Sequence, residues 1–187
     1  FGLATASGHF FSGSAAGDTV IRTTNGGDIL LGEGTTERLR MLSTGGLTFN
    51  GDTATANALD DYEEGTWTGG LRSGNNNASL TIQQSTGYYV KVGKIVHAYW
   101  YSEDVDISSI GSGGARITGL PFTNENLTAG YNVANFAHCT IFDDSMSGYV
   151  PHNSTTIVPT VEHSTSVADF VQGNTKYIMV SVTYRAA

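Results

Sequence analysis

Residues 18–50 read DTVIRTTNGGDILLGEGTTERLRMLSTGGLTFN. This stretch decides the fold class. Its apolar residues fall into very short groups: Val20-Ile21, Ile29-Leu30-Leu31, Leu39 to Leu42, and Leu47 to Phe49. Gly26-Gly27, Gly32-Glu33-Gly34 and Gly45-Gly46 separate them, and glycine permits the positive φ that tight corners need. The pattern predicts strands of three to five residues in a weak repeat. Such strands cannot enclose a core alone, because short repeating units need a neighbour to bury their apolar faces. The repeats are too few for a solenoid, so the expected neighbour is another copy of the chain. A set of ordinary hairpins is the alternative, but one thin apolar stripe makes an isolated hairpin region marginal. The residues expected in the shared core of a trimeric stem are Val20, Ile29, Leu31, Leu39, Met41, Leu47 and Phe49.

Outward from this stretch, composition agrees with a β-rich scaffold. The chain has 187 residues, 39% apolar and 14% charged, with 24 glycines. That charged fraction is well below the roughly 25% of an average soluble protein. The net charge is −8, and nine basic residues lie scattered, which argues against a nucleic-acid partner. No apolar run approaches the ~20 residues that span a bilayer, so no membrane insertion is expected. Phe1 is not a natural start, and the chain reads as a fragment of a longer one. The one cysteine, Cys139, makes no intrachain disulfide and is expected to be a buried thiol between Ala137 and Ile141.

Three regions are expected: a glycine-punctuated stem over 1–58, an acidic junction over 59–64 and a β head over 65–187. Residues 54–62 carry three alanines and predict one or two helical turns, capped by Asp52 or Thr53. In the head, strands are predicted at 66–68, 79–83, 88–92, 95–102, 115–119, 131–142, 155–161 and 177–184, with a corner at Gly93-Lys94. The strand from Ile95 has two candidate core faces. One carries Ile95, His97, Tyr99 and Tyr101, the other Val96, Ala98, Trp100 and Ser102. Alternation leaves open which of them is inside. Pro159 confines its strand to an edge or a bulge.

Several motifs stand in order: Glu37 to Met41 followed by Ser43-Thr44-Gly45-Gly46; Leu59-Asp60-Asp61-Tyr62-Glu63-Glu64-Gly65-Thr66-Trp67-Thr68; Gly87-Tyr88-Tyr89-Val90-Lys91-Val92-Gly93; and Ile117-Thr118-Gly119-Leu120-Pro121-Phe122. Together they resemble the distal, C-terminal part of tail fibre or tail spike proteins of tailed bacteriophages, over roughly residues 18–122 and the final strand. One departure is Gly69-Gly70, where that family often has proline after the tryptophan motif. The resemblance implies an all-β homotrimer. A short intertwined β-prism or β-helix-like stem would precede an antiparallel β-sandwich head of jelly-roll type. It also implies a virion part, extracellular, joined to upstream fibre or tail proteins and mediating attachment to a bacterial host. Residues 123–176 carry no shared motif.

For chemistry, Asp60, Asp61, Glu63 and Glu64 form one short run, whereas glycosidases need two carboxylates across a cleft. A solvated junction, or pairing with Arg38 or Arg40 of a neighbour, is the expected role; a calcium site is the alternative. Further acidic groups at 103–106 and 143–144 read as turn residues. His9, His97, His138, His152 and His163 show no zinc spacing. No catalytic residue, metal or cofactor is expected. Three sequons, at Asn77, Asn126 and Asn153, read as loop chemistry. A receptor glycan would need aromatic platforms beside amides. Tyr149, His152 and Asn153 beside Pro151, with Asn124, Asn126 and Tyr131, are the candidate receptor-binding residues. Trp100, Tyr99 and Tyr101 rank behind them as core-type strand residues. A purely structural fibre segment and a polysaccharide depolymerase are the rival functions.

Overall fold

The computed structural model describes residues 2–3, 5–6, 11–74, 80, 82, 84–142, 147–161 and 164–187. His9, His163, Asp143-Asp144 and the sequon at Asn77 lie outside the described residues. The fold is all-β, and no α-helix occurs among the described residues. The chain divides into two compact units, 1–60 and 61–187.

In the first unit β1 (Gly2–Leu3) pairs with β2 (Thr19–Val20). Strands β3 (Ile29–Glu33), β4 (Thr36–Met41) and β5 (Leu47–Phe49) form an antiparallel meander. The β3–β4 ladder slips one residue between Leu31 and Gly32. A side chain at Gly32 would strike the carbonyl of Thr36. Arg40 ties the sheet together by donating Nε and Nη2 to Glu37 at 2.9 and 2.5 Å and Nη1 to Asp28 at 2.6 Å. Residues expected as a stem core separate here. Val20 is buried, and Ile29, Leu39 and Leu47 are half-buried, but Leu31, Met41 and Phe49 are exposed on the single chain. One layer of three short strands leaves the side that carries Leu31, Met41 and Phe49 largely uncovered on one chain, which explains the difference. One helical turn, of 3₁₀ type, spans Thr55–Asn57. Asp52, not Thr53, holds it, accepting from the Ala54 amide and the Asn57 side chain.

The second unit contains β6 (Tyr62–Thr68), β7 (Gly70–Ser73), β8 (Thr86–Val92), β9 (Ile95–Val105), β10 (Ala115–Thr118), β11 (Asn132–Ala137), β12 (Ser147–Val150), β13 (Val158–Thr160) and β14 (Lys176–Arg185). Seven strands form one antiparallel sheet in the order β13-β12-β11-β14-β9-β8-β6. β7 and β10 form a small second layer. Ile117 and Ile157 exchange both backbone bonds, and Ala168 bridges Ala115 to Pro159, so the sheet nearly closes on itself. The two layers are therefore unequal, the second having two strands. Pro159 lies on the edge strand β13. Gly93 turns the β8–β9 hairpin with φ +55°.

Period-two alternation is strict over residues 95–102 of β9 and breaks at Asp104, which takes φ +54°. Val96, Ala98, Trp100 and Ser102 point inward; Ile95, His97, Tyr99 and Tyr101 point outward. The core joins Trp100 and Trp67, edge-to-face at 6.0 Å, with Leu71, Ile117, Ile178, Val180 and Tyr184. Glycines make room for these rings. A Cβ at Gly69 would lie 2.6–2.8 Å from Trp100 ring atoms, and one at Gly87 would lie 2.5 Å from Trp67 Cε2. Strand β11 stops at Ala137 because His138 takes φ +43°. Cys139, just beyond, is half-buried rather than buried, and burial pushes its thiol pKa up. Leu80 and Ile82 lie outside any strand, though Ile82 is buried in the core.

The expected acidic junction over 59–64 spans the division between the two units. Leu59 bridges to Leu47 in the first unit, and residues 62–64 begin β6. Asp61 pairs with Lys91, Glu63 accepts from the Tyr89 hydroxyl, and Glu64 accepts from Tyr62 at 2.9 Å. Lys91 also sits 5.4 Å from the Phe122 ring centre, and Tyr89 packs edge-on to the same ring. The motifs at 59–68, 87–93 and 117–122 thus meet as one structural assembly. Arg40 is engaged by Asp28 and Glu37, and Arg38 lies 3.9 Å from Glu33, so neither arginine serves that acidic run within the chain.

Candidate functional site

Loops on a rigid scaffold are where recognition concentrates. Between β10 and β11 and just after β12 the structure brings together most of the residues singled out in the sequence. Tyr131 stacks obliquely on Tyr149 at 5.5 Å and meets the His152 ring edge-on at 5.5 Å. His152 Nδ1 lies 3.1 Å from Asn126 Oδ1, which accepts its hydrogen bond. Tyr131, His152 and Asn126 are exposed and Tyr149 is half-buried. Asn153 is exposed and adopts φ +52° in the turn after Pro151, a conformation that asparagine tolerates.

Asn124 has a different role from the surface contact expected of it. It is 1% exposed. Its amide donates to the carbonyls of Gly130, Val150 and Pro151 at 2.6, 3.2 and 3.0 Å, and its Oδ1 accepts from Asn132 at 2.9 Å. Its backbone bonds to Ser154 and Asn153. Asn124 therefore clamps the 124–132 loop to the 150–154 turn and sets the spacing of the rings above. Beside it, Glu125 accepts a hydrogen bond from Lys94 at 3.2 Å and forms an ion pair with Arg185 at 2.5 Å. Burial raises its pKa, but the two cations outweigh burial and hold it below the usual range. The cluster offers aromatic faces, an amide and an imidazole, the groups that grip a sugar's apolar face and its hydroxyls.

A second aromatic region was ranked lower from sequence. Tyr88 and Tyr99 stack at 5.7 Å on the outward face of β8 and β9. Tyr101, His138 and Tyr177 continue it, with ring separations of 6.0 and 5.0 Å. Tyr101 donates to Glu103 at 3.1 Å, and His97 contacts Thr183 at 3.0 Å. Shallow cavities of about 280, 320 and 420 Å³ share Tyr99 in their walls. Trp100 is fully buried, its Nε1 donating to the Gln84 carbonyl at 2.7 Å. Among the described residues no group of three or more His, Cys, Asp or Glu side chains converges as a metal site. Nor is any helix among them long and apolar enough to cross a membrane.

The fold and site define an all-β unit with an exposed aromatic cluster on its loops. No family model matches the chain, and no curated protein matches it. Among solved structures it is similar to the Dettilon tailspike protein, with 19% identity and a TM-score of 0.47. That match covers 67% of this chain and 24% of the tailspike chain, so the chain spans about a quarter of that protein's length.

Proposed function

We propose that the chain is a tail fibre or tail spike segment of a bacteriophage virion and that its 61–187 unit attaches the particle to a bacterial surface glycan. The observation that carries this reading is the Tyr131–Tyr149–His152 cluster with Asn126, built on the buried Asn124 clamp. The resemblance of the motifs at 59–68, 87–93 and 117–122 to distal tail fibres supports it. The first unit supports a homotrimer joined to upstream tail proteins. Leu30, Leu31, Met41 and Phe49 stay exposed on one chain, and mates wound about a common axis would cover them. Three weak sites on one shaft raise avidity without a strong single site.

The reading is of binding rather than hydrolysis because the cluster presents aromatic rings, an imidazole and an amide. The test is binding of the full chain to arrayed bacterial surface glycans and to whole cells. Tyr149→Ala with His152→Ala should weaken capture about tenfold or more, from two ring contacts worth ~1 kcal/mol each. Shortening of the polymer on incubation would instead establish a depolymerase. No binding by the wild type would favour a purely structural segment.

A further inference from the structure

We propose that the outward face of the seven-stranded sheet, centred on Tyr99, packs against a second copy of this chain. Most of the large apolar side chains exposed on the 61–187 unit lie on this one face: Tyr88, Ile95, Tyr99, Tyr101, Val133 and Met179 among them. Val133 is 65% exposed, near the start of strand β11. Isolated exposed apolar residues need no explanation, but a contiguous patch marks an interaction surface.

The composition of the patch selects its occupant. Protein interfaces have cores rich in aromatics and methionine and poor in charge, with a polar rim. Here Glu64 stands on the edge strand β6, and Glu103 and Arg185 stand at the two ends of the patch. The centre is Tyr99 with Ser181 and His97 beside it. Ile95, Val133 and Met179 offer nothing to a sugar's hydroxyl groups but suit a dry contact. The size also fits. Ile95 to Glu103 runs about 27 Å and five strands cover about 24 Å, a footprint of roughly 650 Å² in plan. A stable interface takes about 800 Å² of accessible surface per partner, and a face roughened by tyrosines exceeds its plan area.

A second copy is preferred to a foreign protein on the reading of the chain as a multi-copy fibre, on which this proposal rests. Copies joined in one fibre meet at high effective concentration. The register places Tyr149 opposite Val133, so the Tyr131–Tyr149–His152 cluster borders the patch. The glycan site would then sit at the margin of the contact between copies.

The test places the photo-reactive residue benzoylphenylalanine at position 99 of the full chain, with position 112, an exposed loop site, as control. Illumination should give covalent dimers and trimers from position 99 and only monomer from position 112. Val133→Asp, at a site too exposed to threaten folding, should lower the position-99 yield severalfold with tryptophan fluorescence unchanged. A chain that sediments as a multimer yet gives only monomer from position 99 overturns the proposal and leaves the multi-copy reading standing. A chain that sediments as a monomer overturns both. Labelling of an added glycan at position 99 without labelling of a second copy also overturns it, and moves the glycan site to this face.

Discussion

Replacing Asn124 with alanine should cost the 61–187 unit about 3–4 kcal/mol, while Asn126→Ala, two residues away, should cost less than about 0.5 kcal/mol. The amide of Asn124 has two hydrogens for three carbonyls at 2.6, 3.0 and 3.2 Å, so it supplies two effective donated bonds. Its oxygen accepts one more, from Asn132. At about 1 kcal/mol net per bond this gives ~3 kcal/mol. A buried carbonyl left without its partner adds up to about 1 kcal/mol more. Gly130 keeps an alternative donor in Asn132, which limits the addition. Asn126 is exposed and bonds His152 alone among the contacts described for its side chain. Urea unfolding read by Trp67 and Trp100 fluorescence at one protein concentration measures both variants. With an m-value of about 2 kcal/mol/M, the Asn124→Ala midpoint should fall by about 1.5–2 M. A loss below about 1 kcal/mol, or equal losses for the two variants, would refute the assignment of Asn124 as a buried clamp.

Three further outcomes follow from the same structure. Gly69→Ala should destabilise by about 1–3 kcal/mol, because the added methyl must displace the fully buried Trp100 ring; a neutral effect in the same urea assay would show slack that the packing denies. Lys91→Met should cost about 1–2 kcal/mol through the Asp61 pair and the Phe122 ring contact, and Asp61→Asn in the Lys91→Met background should add little more. Glu125 has a folded pKa below its ordinary 4.5, so its contribution is present above about pH 4.5 and is lost as the pH falls through the lower folded value. Glu125→Gln should therefore flatten the acid limb of the stability–pH curve, and an unchanged acid limb would remove Glu125 from that role.

Much of the head was legible because its strands alternate strictly. The strand at 95–102, the corner at Gly93-Lys94, the edge position of Pro159 and the final strand all follow from local rules that the tertiary fold does not override. Which side of β9 is buried was not legible. Period two reports alternation, not direction, and here the outward face (Ile95, His97, Tyr99, Tyr101) carries larger side chains than the buried one. Strands β7 and β12 were missed for a related reason. Gly70 and Gly148 give no strand signal, yet each lies in a ladder where a Cβ would collide, with Thr118 and with the Val158 carbonyl respectively. The partners of the acidic run within the chain, Tyr89 and Lys91, lie about thirty residues further along, beyond the reach of local sequence rules. Asn124 and Asn126 look alike in sequence. Only burial separates the clamp from the exposed amide.

The most direct measurement is a side-chain-resolved NMR titration of the full chain with a bacterial glycan that it captures. The ring signals of His152, Tyr149 and Tyr131 should move with saturation while those of Trp67 and Trp100 stay fixed. Movement confined to Tyr99 and Tyr101, with the His152 ring undisturbed, would contradict the assignment of the loop cluster as the attachment site.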